Sequence, residues 1–263
     1  FSRVSIFSEL NNLFDISSSG DYAELLGYTQ NELETRFAPH IKALAEETGL
    51  SHEETLKKLA QHYNGYRFSK KERRVYNPFS ILNALTDMAF REYWFETGTP
   101  SFLVHLLKEQ RYNLSGLENT LLHSSFATFD LDNLHPISLM FQTGYLTIKD
   151  MVETAYQLDY PNQEVKHAFS NHLLAAEIPQ DAQARVIRLA RHLAREDFDA
   201  FFETIRALFA SIPYDLESKR DEAYFHTLFY LMVASSGADA RSSVLTCEGK
   251  IDLLVEFPDR VCV

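Results

Sequence analysis

Apolar side chains in this sequence recur mainly at mixed three- and four-residue spacing and change to alternation only in a few short runs. The first spacing keeps one face of a helix apolar, and the second keeps one face of a strand apolar. Over residues 1–110 the pattern predicts mostly helix. Thr29 with Glu32 and Ser51 with Glu54 make two capping boxes, the second just ahead of Leu56, Leu59 and Ala60. Asn64-Gly65 signals a turn. It leads into a short hairpin, Tyr66-Arg67-Phe68 against Val75-Tyr76, across the charged tip Lys70-Lys71-Glu72-Arg73-Arg74. Asn77-Pro78 opens a further helix through Phe79, Leu82 and Leu85, because proline fits a first turn whose N–H groups have no intrahelical partner.

Residues 111–166 read differently. His135-Pro136 starts a helix through Leu139 and Phe141, Gly144 ends it, and Tyr145–Ile148 and Tyr156–Tyr160 follow as a hairpin. Helix, glycine turn and hairpin in that order suggest a winged-helix-like unit. Residues 167–217 are predicted helical, with Ile187, Leu189, Leu193, Phe198, Phe201, Phe202, Ile205 and Leu208 as the apolar positions. Residues 218–263 begin with a helix from Asp221 to Ala234, broken at Gly237-Ala238-Asp239. Strands at 242–247 and 250–257 come next, and Pro258-Asp259-Arg260 turns into a last strand. The expected fold class is mainly α with α+β parts.

Charge narrows the partners. The net charge of −12 and pI near 5.3 give a field that repels nucleic acid, so contact with one requires a local basic patch or bound metal ions. Two basic features stand out. One is the hairpin tip. The other is Arg185, Arg188, Arg191, His192 and Arg195 at helical spacing, either a stripe that tracks phosphates or a solvated face partly neutralised by Glu196, Asp197 and Asp199. No run approaches the roughly 18 apolar residues of a membrane span. Cys247 and Cys262 make neither a disulfide framework nor a metal cluster, so reduced thiols and a cytoplasmic location are expected. The sequence opens on Phe1 and closes on Val261-Cys262-Val263 inside a predicted strand, which suggests an internal piece of a longer protein.

Six strings then follow one another: Ser5–Leu13, Tyr63–Phe68, Tyr76–Ser80, Tyr93–Pro100, Gln142–Ile148 with Tyr160–Val165, and Gly249–Leu254. In this order they resemble the AAA-ATPase-like family fused to a PD-(D/E)XK nuclease domain. The resemblance implies the later part of an ATPase with its helical lid (1–110), a winged-helix-like unit (111–166), a helical linker (167–217) and the start of an α/β nuclease core (218–263). It also implies ATP and Mg2+ as cofactors of the longer protein, with neither held tightly by this piece. No G-x-x-x-x-G-K-[ST] phosphate loop occurs in the sequence. By the resemblance, the Glu-x-Lys pair of the nuclease follows Val263.

The resemblance directs attention to particular residues. Asp252 sits opposite the apolar alternation Ile251, Leu253, Val255 and Phe257, so it shares a face with Leu254 and Glu256. A metal-dependent nuclease needs such a carboxylate, because the cation polarises the scissile phosphate and activates water. An Asp that satisfies turn N–H groups is the other reading. Glu222 is a candidate second acidic ligand, or a solvated acid favoured at a helix N-terminus. Four residues on, His226 shares its helix face. Gly98-Thr99-Pro100 resembles a Gly-x-Pro element close to bound nucleotide, although Gly and Pro also mark ordinary loops. Arg67 either reaches phosphate or packs its stem in the hairpin. Asn11 and Asn12 either cap a helix or orient a water.

Three function classes emerge. The first is an NTP-driven switch joined to a metal-dependent nuclease, with nucleic acid as partner. The second is a non-catalytic protein-interaction or regulatory module on a degenerate form of that scaffold. The third, a sequence-reading winged-helix factor, is disfavoured because Ile137, Leu139, Met140 and Phe141 bring no Arg or Lys to the presumed recognition helix.

Overall fold

The computed structural model describes residues 16, 18–97, 101–109, 120–123, 136–153, 155–212, 221–245, 250–257 and 259–263. In chain order the described elements are α1 (Gln30–Arg36), α2 (Ala38–Thr48), α3 (His52–Tyr63), α4 (Pro78–Asp87), a 3-10 turn (Tyr93–Thr97), α5 (Ser101–Glu109), β1 (Thr120–His123), α6 (Pro136–Gln142), β2 (Thr147–Val152), β3 (Ala155–Asp159), α7 (Gln163–Ala175), α8 (Gln180–Ala194), α9 (Phe198–Ala210), α10 (Glu222–Ser235), β4 (Asp239–Leu245), β5 (Lys250–Glu256) and β6 (Val261–Cys262). The chain is mainly helical with two small antiparallel sheets. It divides into two compact units, Phe1–Thr99 with Asn119–Lys166 and Pro100–Glu118 with His167–Val263.

In the first unit the helix starts follow the local rules. Thr29 Oγ1 accepts from the Glu32 N–H, while the Glu32 carboxylate accepts from the Thr29 N–H at 2.9 Å. Ser51 and Glu54 repeat the exchange ahead of α3. Asn77 caps α4 by accepting from the N–H groups of Phe79 and Ser80, with Pro78 in the first turn. These helices close over a buried cluster that includes Leu33, Ile41, Leu44, Leu59, Tyr63, Tyr76, Ile81 and Tyr93. The predicted hairpin is a single bridge between Tyr66 and Val75, and Tyr76 continues it by pairing with Tyr28.

The sheet of this unit has the order β1-β3-β2. A β2–β3 hairpin forms where the sequence reading expects one, but its first strand runs over Thr147–Val152 instead of 145–148, with a register shift between Ile148 and Asp150. Strand β1 pairs along the outer side of β3 and is absent from the sequence reading, since four residues carry too little alternation to read. One backbone joint ties the hairpin to the helices. Gly65 adopts φ +108°, and a Cβ there would fall 1.9 Å from the Pro161 carbonyl oxygen. Beside it, Asn162 donates through Nδ2 to the Asn64 carbonyl and accepts through Oδ1 from the Val165 N–H, capping α7.

In the second unit α8 packs against α9, and α10 packs against both α8 and β4. Helix α8 buries Ala182, Val186, Leu189 and Leu193 along one stripe. Helix α10 is apolar around its circumference from Leu228 to Ala234, as a helix covered on two sides must be. Gly237, at φ +89°, ends the approach to β4. The sheet is an antiparallel meander, β4-β5-β6, with Ser242 opposite Leu253 and Val255 opposite Cys262. Three of the apolar positions that mark these helices are not buried: Ile187, Phe198 and Phe202 are about half exposed or more. Ile187 follows Val186 by one residue and so leaves the buried stripe by about 100°. Phe202 leaves the Phe201, Ile205 and Leu208 stripe of α9 in the same way, whereas Phe198 is the first residue of that helix.

Replacing Gly65 with alanine sets a Cβ into the Pro161 carbonyl at a backbone angle that alanine rarely adopts. Gly65→Ala is expected to cost more than about 2 kcal/mol, read as a lower urea midpoint. An unchanged midpoint would show that the two turns do not meet in this way.

Candidate functional site

The residues singled out from the sequence fall into two places. In the second unit, β5 carries Asp252 with its side chain 78% exposed, while Val255 on the other phase is buried. Helix α10 lies alongside. Its His226 Nε2 is 3.0 Å from the Asp252 carbonyl oxygen and 3.9 Å from Asp252 Oδ1. A hydrogen bond to a carbonyl requires the proton on Nε2, which directs that nitrogen at β5 as a donor. Glu222 is exposed in the first turn of the same helix, after Asp221, which caps it by accepting from the Tyr224 N–H. The structure thus brings Asp252 to His226. Among the described residues no group of three His, Cys, Asp or Glu side chains converges. Mg2+ takes one or two protein oxygens and fills its octahedron with water and phosphate, and the exposed Asp252 carboxylate leaves room for such a shell.

Arg67 is in the first unit and only 4% exposed. Its guanidinium donates to the backbone carbonyls of Ser69, Lys70, Lys71 and Lys149. Its backbone is locked as well: the Arg67 N–H donates to Thr147 Oγ1 at 2.8 Å, and that hydroxyl donates back to the Arg67 carbonyl at 3.1 Å. The arginine therefore clamps the hairpin tip and β2 and presents no charge to the surface. Of the tip itself, Lys71 pairs with Asp21 and Arg73 with Glu24, both at 2.9 Å. Gly98, Thr99, Pro100, Asn11, Asn12 and Cys247 lie outside the described residues.

A third place emerges only from the structure, although it falls within Tyr160–Val165. Glu164, in the first turn of α7, is 1% exposed. Its Oε2 accepts from Ser80 Oγ at 2.7 Å, and its Oε1 accepts from the Trp94 N–H at 2.9 Å. Aromatic rings surround this region: Tyr63, Tyr66 and Tyr93 are buried, and Trp94 meets Tyr145 edge-on at 5.0 Å. Loss of water pushes the carboxyl up to about 7, and the donors from Trp94, Ser80 and Tyr93 only partly offset that. The same desolvation pushes the Tyr145 phenol up to about 12 and the Tyr63 and Tyr66 phenols higher still. A first-turn glutamate is normally solvated, so the sequence carries no signal for this burial.

The chain is 38% identical, over 272 aligned positions and 99% of its length, to a protein of Azotobacter chroococcum mcd 1 named "Uncharacterized protein in vnfD 5'region". It spans half the length of that relative. No family model matches it, and no solved structure does.

Two outcomes follow from this geometry. The folded chain holds the Glu164 proton more tightly than the unfolded chain does. The resulting stability is fully present below the ordinary carboxyl value of 4.5 and is lost as pH rises to about 7. The loss is roughly 2–4 kcal/mol. Glu164→Gln mimics the neutral acid and should remove this part of the pH slope in urea melts, so parallel curves for the two proteins would contradict it. Arg67→Lys leaves carbonyls unmatched and should cost at least about 2 kcal/mol. If that variant kept its stability but lost nucleotide binding, the clamp would be the wrong description of Arg67.

Proposed function

We propose that this chain is the lid, linker and nuclease-start portion of an ATP-dependent switch joined to a Mg2+-dependent nuclease. The observation that carries the reading is the antiparallel β4–β5–β6 meander packed on α10, with the exposed Asp252 carboxylate on β5 beside that helix. Asp252 and Glu222 are the residues that would hold Mg2+, which would supply polarisation of a phosphodiester and a more acidic bound water. His226 fixes the position of Asp252 through the strand carbonyl and leaves its carboxylate open to solvent. The order of the six sequence strings supports the same reading, and so does the place of the helical segments ahead of this meander in the chain.

A second reading, a non-catalytic interaction or regulatory module on the same scaffold, is favoured by one observation. Among the described residues no group of three His, Cys, Asp or Glu side chains converges to hold a metal ion. The same assay separates the two readings. Asp252 is exposed, so Asp252→Ala should change stability by no more than about 0.5 kcal/mol. In the protein of the full reading frame that carries this chain, it should lower Mg2+-dependent DNA cleavage at least about a hundredfold, the scale on which removing one electrostatic stabiliser of a transition state acts. Glu222→Ala should lower it less. Equal cleavage by wild type and Asp252→Ala sinks the nuclease site, and no cleavage by wild type favours the interaction module.

A further inference from the structure

Helix α8 is divided lengthwise. Its apolar stripe, Ala182, Val186, Leu189 and Leu193, is buried in the second unit. Its other side carries Arg185, Arg188, Arg191 and, at the C-terminal cap, Arg195, all exposed. These positions cover about 15 Å of helix at 1.5 Å per residue. Beside them Arg185 and Arg188 line a shallow groove with Glu203, Thr204 and Ala207 of α9.

Among the described residues none of these four arginines forms an ion pair, although the chain carries 37 acidic residues against 25 basic ones. Four other exposed cations are paired, Lys42 with Glu46, Arg91 with Asp87, Lys149 with Asp159 and Arg241 with Glu256, whereas Arg36, Lys57, Lys70 and Arg206 stand singly and form no row on one helix face. Two of the three acids that follow α8 in sequence are engaged elsewhere, and the third, Asp199, is exposed in the first turn of α9. Glu196 pairs with Arg260, and Asp197 caps α9 by accepting from the Ala200 N–H. Like charges three residues apart on a helix cost a few tenths of a kcal/mol per pair. The stripe therefore opposes folding slightly, and Glu203, which lines the groove beside Arg185 and Arg188, forms no ion pair with it.

We propose that this face of α8 binds the phosphodiester backbone of a nucleic acid without reading its bases. Guanidinium forks match phosphate oxygens in pairs, and a row of them suits a polyanion better than a single anion. A membrane surface is a poorer occupant, because the apolar side that would enter lipid is committed to the protein core. The surface is built from residues other than Asp252 and Glu222. It rests on the nuclease reading only in sharing its substrate class, and binding is measured apart from cleavage.

The test is fluorescence anisotropy of labelled duplex and single-stranded DNA with the chain in EDTA, where cleavage cannot occur, across a salt series. Binding is expected to weaken linearly in log–log form with salt. Arg188→Glu with Arg191→Glu should weaken it at least about tenfold and reduce the slope by about 2, near 0.9 for each phosphate no longer neutralised. Lys57→Glu with Lys70→Glu makes the same charge change on the first unit and should shift affinity less than about twofold. Equal weakening by both pairs would mean a net-charge effect only and would overturn the assignment. So would absence of binding by wild type at low salt, or displacement of DNA by polyglutamate as readily as by unlabelled DNA, which marks an acidic-protein surface. Cleavage in Mg2+ that fails in the protein of the full reading frame, while this chain still binds in EDTA, would remove the nuclease reading and leave this surface standing.

Discussion

A carboxylate removed from water holds three separate stretches of the first unit together. Glu164 receives the Ser80 hydroxyl from α4 and the Trp94 N–H from the 3-10 turn, and it reaches both from the first turn of α7. Burying a carboxyl group is costly unless its oxygens are matched by donors, so the side chain works only if all three stretches arrive in register. The same neighbourhood is fixed from another side by Gly65 against the Pro161 carbonyl, and by Asn162 bridging the Asn64 carbonyl to the start of α7. Arg67 and Thr147 complete the set by exchanging hydrogen bonds between the first hairpin and β2.

These contacts give physical content to the strings that carry the family resemblance. Tyr63–Phe68, Tyr76–Ser80, Tyr93–Pro100, Gln142–Ile148 and Tyr160–Val165 are far apart in sequence, yet each supplies a residue to this joint: Arg67, Ser80, Trp94, Thr147 and Glu164. The strings therefore specify how one unit is closed.

Features settled within a few residues are legible in the sequence. The capping boxes at Thr29 and Ser51, the Asn77-Pro78 start, the Gly144 turn and the β2–β3 and β4–β5 pairings all depend on neighbours in the chain. What escapes depends on distant partners. The Tyr28–Tyr76 bridge, strand β1 and the burial of Glu164 have no local signature. Ile187, Phe198 and Phe202 belong to helices as expected, but which side of a helix is covered is decided by what packs on it. At the candidate site, the phase of Asp252 is readable from alternation, whereas its approach to His226 requires the placement of α10 on the sheet. For the α8 arginines, the engagement of Glu196 by Arg260 and of Asp197 at the α9 cap is likewise without a sequence signal.

Glu164 and Asp252 show how one functional group takes opposite roles. A hard cation needs a carboxylate that keeps oxygens free for it and leaves room for the waters of its octahedron. Glu164 has both oxygens engaged by donors and almost no solvent contact, and near neutral pH it holds its proton part of the time. Each property disqualifies it as a ligand and suits it to closing a fold. Asp252 has the reverse set: its strand is fixed through the backbone carbonyl by His226, while its side chain stays open to water. Position is thus supplied by the main chain and the side chain is left open, which is what the proposed ion-binding role of Asp252 requires.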